Sequence, residues 1–282
     1  IEDQRPDIIG MSNYTWNSAL NQFAGTKIKS GTNNNIPIIM GGPNFSLDEE
    51  GILAFLEDHS YVDRYIMFSG ERPMADIIDQ VLESSLEKLT CEEIRAFKLE
   101  SSYSIMNGKL CGGSHIDDEK DLDYLPSPYL SGTLDEFLND GFLPILETNR
   151  GCPFSCTFCV WGISALNKLK QFGMERVKSE LEYVVKFGPV YSEIVYADAN
   201  FGILKRDLEI SKYTRELYDS EQSFQAVQFY WSKTPQPHMI DIGKVLGHLT
   251  HTYVAFQSLD PGVLEAIKRK NISTEKLAQL ID

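Results

Sequence analysis

The sequence predicts an α/β protein with two runs of parallel strand–helix units. Three observations carry that prediction. Short apolar runs alternate with helical stretches over residues 1–85, the alternation lapses over 86–142, and it returns over 143–282. Parallel strands need crossover connections, usually helices, so this rhythm reads as parallel sheet. The 282 residues suffice for one large domain or two ordinary ones, with a sizeable core.

In the first run, PDIIGMS (6–12) is an apolar strand closing on Gly10 and Ser12, and a helix is expected through NSALNQFAGTKIKS (17–30). IPIIMGGP (36–43) is a second strand, ended by Gly41, Gly42 and Pro43. Ser46 and Glu49 have capping-box spacing for a helix through LDEEGILAFLEDH (47–59). RYIMFSGE (64–71) is a third strand. The next helix carries Met74, Ile77, Ile78, Val81 and Leu82 at spacings of three and four, one apolar stripe.

Residues 86–142 read as a connector. Within it, SYSIMNGKLCGG (102–113) has the pattern of a hairpin, with Asn107-Gly108 as a type I′ turn. YLPSPYLSGTLDEF (124–137) is rich in Pro and Ser and ends in a second capping-box pair, Thr133 with Glu136.

From 143 onward, FLPILETN (142–149), SEIVYADANFG (192–202), FQAVQFYWS (224–232) and THTYVAFQS (250–258) are strands or strands with their loops. Helices are expected around Val177, Leu181, Val184 and Val185, stopping near Gly188, then through LKRDLEISKYTRELY (204–218) and HMIDIGKVLGHL (238–249). Asp260 caps a further helix with Pro261 at its first position, and Ser273 begins another. These make four units running the same way. Phe229, Tyr230 and Trp231 alternate across a strand and are read as packing. The chain opens on Ile1, not Met, and stops after the fourth unit, so both ends are expected to be incomplete.

The hydrophobic fraction is 42% and the charged fraction 24%, ordinary values for a globular protein. No apolar run reaches the ~18 residues of a membrane span, and no signal peptide is visible. Net charge is -15, with a pI near 4.8, which repels phosphate backbones; no nucleic acid or membrane partner is expected. Five cysteines without a regular framework argue against a secreted disulfide scaffold and for reduced thiols in a cytoplasm.

Three of those cysteines fall in ETNRGCPFSCTFCVWG (147–162): Cys152, Cys156 and Cys159. Tetrahedral zinc takes four ligands, yet neither Cys91 nor Cys111 sits in a CxxC pair, and none of the five histidines is near in sequence. His248 and His251, three apart, read as flanking a turn. A four-iron cubane held by three thiols keeps one iron open, which suits substrate chemistry better than electron storage. Structural zinc or unligated core thiols are the plainer alternatives.

The Cys-x3-Cys-x2-Cys spacing, with Phe158 before the last cysteine and the loop directly after the first strand of an α/β run, resembles the radical S-adenosylmethionine (radical SAM) superfamily. The resemblance implies a [4Fe-4S] cluster on Cys152, Cys156 and Cys159, whose open iron chelates SAM. It implies reductive cleavage to a 5′-deoxyadenosyl radical, abstraction of a substrate hydrogen, and an external electron donor such as a flavodoxin or ferredoxin. The family fold is a partial (β/α)6 barrel, of which four units are seen here. By the same resemblance Asp198 and Asn200 face the SAM amino group, although the commoner Gly-Gly-Glu form is absent. Gln257 and Ser258 fall where ribose or carboxylate is held, the backbone near Phe158 faces adenine, and Trp161 shields the cluster. No catalytic residue is assigned.

DIIGMSNYTWN, IPIIMGGPN and MFSGERP are similar to the cobalamin-binding domain that precedes the barrel in one subgroup, and LPSPYL is similar to its connector. This places Ser12, Gly41, Gly42, Gly70 and Glu71 at the carboxyl ends of strands, where open α/β sheets bind ligands. The Asp-x-His-x-x-Gly signature that supplies a cobalt ligand is absent. The expected architecture is an incomplete Rossmann-like domain of the cobalamin-binding type (1–85), a connector with a hairpin (86–142), and an incomplete radical SAM barrel (143–282). The implied function is radical initiation on a small-molecule substrate, assisted by cobalamin, as methyl transfer to carbon or a related rearrangement. Alternatives are a radical SAM enzyme without cobalamin, whose first domain binds substrate or a partner, and a non-catalytic iron–sulfur protein.

Overall fold

The computed structural model describes residues 6–31, 35–83, 90–113, 122–162, 168–234, 236–250 and 255–271, with 273 and 278. The chain divides into two compact units, Ile1–Asp118 and Glu119–Asp282.

In the first unit, β1 (Ile9–Ser12), β2 (Ile38–Gly41) and β3 (Arg64–Ile66) pair in parallel. The crossovers are α1 (Ser18–Ser30) and α2 (Glu49–Asp58). The α2 cap is Asp48, which accepts from the Gly51 amide; Ser46 instead donates its hydroxyl to the Asp48 carboxylate. The capping pair expected at Ser46 and Glu49 is therefore displaced, because the carboxylate outcompetes the hydroxyl for the free amide. Along α3 (Glu71–Glu83) the buried stripe is narrower than expected. Ile77 is buried, Met74 and Val81 pack beside it, and Ile78 and Leu82 are exposed.

Residues 91–113 complete this sheet instead of leaving it. Helix α4 (Cys91–Ala96) opens on a capping box between Thr90 and Glu93. Then β4 (Ser102–Met106) pairs antiparallel with β3, and β5 (Lys109–Gly112) with β4. Asn107 and Gly108 both have positive φ, 51° and 71°, as a type I′ turn requires. The hairpin covers the β3 edge, whose backbone groups would otherwise stay unpaired, so these residues belong to the first sheet and not to a connector. The buried Arg64 guanidinium fastens the arrangement. It donates to the carbonyls of Ile94, Arg95 and Phe97 and to the Ser102 hydroxyl, placing a cation on the α4 carboxyl end.

The first described helix of the second unit is α5 (Asp135–Asn139), which has no side-chain cap; the Thr133 hydroxyl is engaged with Ser131, so the second expected capping pair does not form. Next come β6 (Ile145–Leu146) and a small antiparallel pair, β7 (Asn149–Arg150) with β8 (Lys170–Gln171). Helix α6 (Met174–Phe187) ends at Gly188, as expected. Then follow β9 (Ile194–Tyr196), α7 (Arg206–Glu221), β10 (Val227–Gln228), α8 (Pro237–Leu246) and α9 (Pro261–Ala266). The strands form a parallel sheet in the order β10-β9-β6. Asp260 caps α9 by accepting from Val263 N, with Pro261 at the first position, as the sequence indicates.

Thr250, where the sequence places a fourth strand, bridges to Val227 in the parallel sense. Most of that strand, His251 included, and the helix expected from Ser273 lie outside the described residues. One core runs under the sheet, joining Leu146, Val184, Ile194, Tyr196, Val227 and Phe229. Phe229 and Trp231 point into it and Tyr230 outward, the alternation read from the sequence. No described helix is long and apolar enough to cross a membrane.

Candidate functional site

The cysteine loop leaves the sheet at the carboxyl end of β6. Its mouth is bracketed by β7 and β8, with Asn149 opposite Gln171 and Arg150 opposite Lys170. Gly151, at φ 100°, makes the turn into Cys152, a conformation that disfavours any side chain. The loop then winds on itself: Cys159 N donates to Cys156 O at 3.2 Å and Gly162 N to Cys159 O at 2.9 Å. A Cβ on Gly162 would lie 2.3 Å from the Cys156 carbonyl oxygen, so only glycine permits this closeness. Thr157 N donates to Ile267 O at 3.1 Å, tying the loop to the end of α9. Cys152 and Cys156 are buried and Cys159 is half-buried.

Among the described residues, no three Cys, His, Asp or Glu side chains stand close enough together to enclose a metal ion. The fit to an iron–sulfur cluster therefore rests on donor chemistry. The loop offers three soft thiols and neither carboxylate nor imidazole, within eight positions of one turn-bound segment.

Asp198, expected to face a ligand, has a different task. It follows β9 and is buried. Its two oxygens accept from Thr148 N (2.8 Å), the Thr148 hydroxyl, Asn149 N (3.2 Å) and Asn149 Nδ2 (2.7 Å). Four donors fill the acceptor capacity of a carboxylate, leaving nothing for an ammonium. Asp198 thus clamps the β6–β7 segment, and with it the start of the cysteine loop, to β9. Burial pushes its carboxyl up to about 7, against the pull of these hydrogen bonds.

Asp207, also buried, accepts from Gly202 N and Leu204 N through one oxygen, and burial pushes it up to about 6. In the unfolded chain it titrates near 3.8. Between those values the folded state holds a proton that the unfolded chain releases, so this contribution to stability is full at low pH and is lost as pH rises toward 6. Asp207→Asn keeps both accepted bonds and removes the titration. Its thermal midpoint is expected to fall less than that of the parent between pH 4.5 and 7; parallel profiles would rule this out.

Asn200, two residues beyond Asp198, is brought to the cysteines. Its Nδ2 donates to Cys152 Sγ at 3.1 Å, while its Oδ1 is buried without a partner. Reading along the sequence misses two neighbours. Lys233, beyond β10, places Nζ 3.9 Å from Cys152 Sγ, and the same ammonium lies over the Phe154 ring at 5.6 Å from its centroid. A lysine directly past a strand's carboxyl end was the only available signal.

Phe158 and Trp161 lie in the loop itself and present partly exposed rings, at 52% and 37% exposure. Gln257 is exposed; the Ser258 hydroxyl accepts from Asp260 N, and its carbonyl from Asn271 Nδ2 at 2.6 Å. In the first unit, Ser12, Gly41, Gly42, Gly70 and Glu71 do lie at or just beyond the carboxyl ends of β1, β2 and β3. Ser12 accepts from Asn17 and Asn21 side chains. Gly42, at φ 132°, has an internal reason to be glycine: a Cβ would meet Asn13 O at 2.4 Å.

No family model matches the chain. It is 30% identical over 284 residues to the cobalamin-dependent radical SAM methyltransferase TokK of Streptomyces tokunonensis, covering 98% of this chain and 40% of that protein. It is 28% identical to a 2-(S-pantetheinyl)-carbapenam-3-carboxylate methyltransferase of Streptantibioticus cattleyicolor, again over 98% and 40%. The chain therefore spans about two fifths of the length of these curated relatives. Among solved structures it is similar to TsrM of Kitasatospora setae, a radical SAM methyltransferase with tryptophan and a SAM analogue bound. The TM-score is 0.70 at 14% identity, covering 99% of this chain and 55% of that one. It is also similar to OxsB, a cobalamin-dependent SAM radical enzyme with aqua-cobalamin and SAM bound (TM-score 0.68, 17% identity, 98% and 39% covered). These structures bear on the fold: a Rossmann-like unit with a partial barrel.

Proposed function

The chain belongs to the radical SAM superfamily, in the subgroup with a cobalamin-binding domain ahead of the barrel, and from this premise we propose that it is part of a cobalamin-dependent methyltransferase acting on a small molecule. The observation that carries the proposal is the three-thiol loop at the carboxyl end of β6, with Asn200 donating to its first sulfur. Cys152, Cys156 and Cys159 would hold a [4Fe-4S] cluster with one iron left for SAM. When bound, the cluster supplies the electron that splits the SAM sulfonium, and cobalamin supplies the methyl group for carbon.

The residues of the chain bind and orient. The buried, unpartnered Oδ1 of Asn200 is an open acceptor for the SAM amino group; a buried acceptor left alone costs about 1–3 kcal/mol, which such a ligand would recover. Asp198 supports this site from behind instead of touching it. Phe158 offers backbone to adenine, and Trp161 an apolar face that keeps water from the cluster. Gln257, with an uncommitted exposed amide, suits the ribose or carboxylate better than the already bonded Ser258. In the first unit, Ser12, Gly41, Gly42, Gly70 and Glu71 would line the cobalamin face, with a flavodoxin or ferredoxin as electron donor to the whole protein.

A second reading keeps the radical chemistry without cobalamin and gives the first unit to substrate or a partner. It is favoured at one point, since the approach of Asn13 already explains Gly42 without a ligand. Iron, sulfide and cobalt contents of the full-length protein, made with cobalamin uptake and purified without oxygen, decide the matter. Four irons with one cobalt are expected. Four irons without cobalt would transfer the first unit to the second reading, and zinc in place of iron would end both.

A further inference from the structure

Three neighbouring parallel strands bring one sulfur and two donors together. Cys152 lies beyond β6, Asn200 beyond β9 and Lys233 beyond β10, and β9 lies between the other two strands. The two donors are fixed to each other by backbone pairing that continues past the strands. Phe201 N donates to Tyr230 O at 2.9 Å, and Ser232 N to Phe201 O at 2.8 Å. Phe201 directly follows Asn200, and Ser232 directly precedes Lys233. The Lys233 ammonium is held further by the face of Phe154, inside the cysteine loop. Among the described residues, no side-chain donor reaches the sulfur of Cys156 or Cys159.

We propose that Asn200 and Lys233 are positioning residues that act through Cys152, making its sulfur the electron-poor corner of the cluster and raising the cluster's midpoint potential. The inference rests on the cluster assignment above. A hydrogen bond to a ligating thiolate and a nearby cation both stabilise the reduced, more negative state, and both are recognised determinants of iron–sulfur potentials. At 3.9 Å the lysine contributes as a charge more than as a short hydrogen bond, while Asn200 at 3.1 Å contributes as a donor. In a chain of net charge -15, a cation beside the cluster offsets a field that otherwise disfavours reduction. The easier reduction raises the fraction of the cluster that a given electron donor holds reduced.

The test is a redox titration, followed by electron paramagnetic resonance, of the full-length protein after anaerobic reconstitution and without SAM. Lys233→Met removes the charge and keeps the length; Lys233→Arg keeps the charge; Asn200→Leu removes the donor at similar volume. Iron and sulfide are counted first, and a parent protein without a four-iron cluster overturns the cluster assignment and the inference with it. Lys233→Met and Asn200→Leu, each with four irons, are expected at more negative midpoints than the parent, with Lys233→Arg restored toward it. Lys233, partly exposed, keeps the test open if Asn200→Leu does not fold. A parent midpoint in Lys233→Met with its cluster intact overturns the inference and leaves the cluster assignment standing.

Discussion

Cys156→Ala is expected to bring bound iron and sulfide down to background after anaerobic reconstitution, with loss of the broad visible absorbance of the cluster. The reason is ligand number. A cubane on three thiols already keeps one iron without protein, and two thiols leave half of the irons unheld. Cys156 is buried, and the amide of Cys159 is bonded to its carbonyl, so no neighbouring donor can move into the gap without unwinding the loop. Cys91→Ala and Cys111→Ala serve as controls. Both residues lie in the first unit, and iron content is expected to be unchanged in each. Full iron in Cys156→Ala would mean that the loop is not the ligand set.

Asp198→Ala is expected to destabilise the second unit by about 3 kcal/mol, since it strips the acceptor from four buried donors on Thr148 and Asn149. The effect reaches the cysteines as well. Thr148 and Asn149 stand just ahead of Gly151 and Cys152, so releasing them frees the loop's first ligand from β9. A lower denaturation midpoint together with a lower iron content, at a temperature where the variant remains folded, is the expected outcome. An Asp198→Ala protein as stable as the parent would show that the clamp is dispensable. Loss of SAM affinity alone, with stability and iron intact, would return Asp198 to the ligand-facing role that the sequence suggested.

The contrast between Asp198 and Asn200 shows what the sequence could and could not convey. Both were legible as polar residues after a barrel strand, because the strand is marked by its apolar run and the site lies at carboxyl ends. What each one touches depends on partners about fifty positions away: Thr148 and Asn149 for one, Cys152 for the other. Nothing local encodes those pairings. The same limit hid Lys233, whose target sulfur is 81 positions distant. The cysteine loop was readable because ligand spacing is itself a local property. So was the type I′ turn at Asn107-Gly108, where two residues must accept positive φ. The hairpin's place in the first sheet was not, since an open strand edge leaves no mark in its own sequence. Capping failed at Ser46 and Thr133 for a related reason. The spacing was present, but Asp48 in one case and Ser131 in the other competed for the same groups.

The central claim is that three thiols of one loop hold four irons and leave one of them for SAM. Its most direct measurement is the Mössbauer spectrum of the full-length protein, reconstituted with iron-57, before and after SAM is added. The account predicts four irons per chain, of which one changes its isomer shift when SAM binds while three do not. A spectrum in which all four irons ignore SAM, or a protein that takes up no iron, would contradict it.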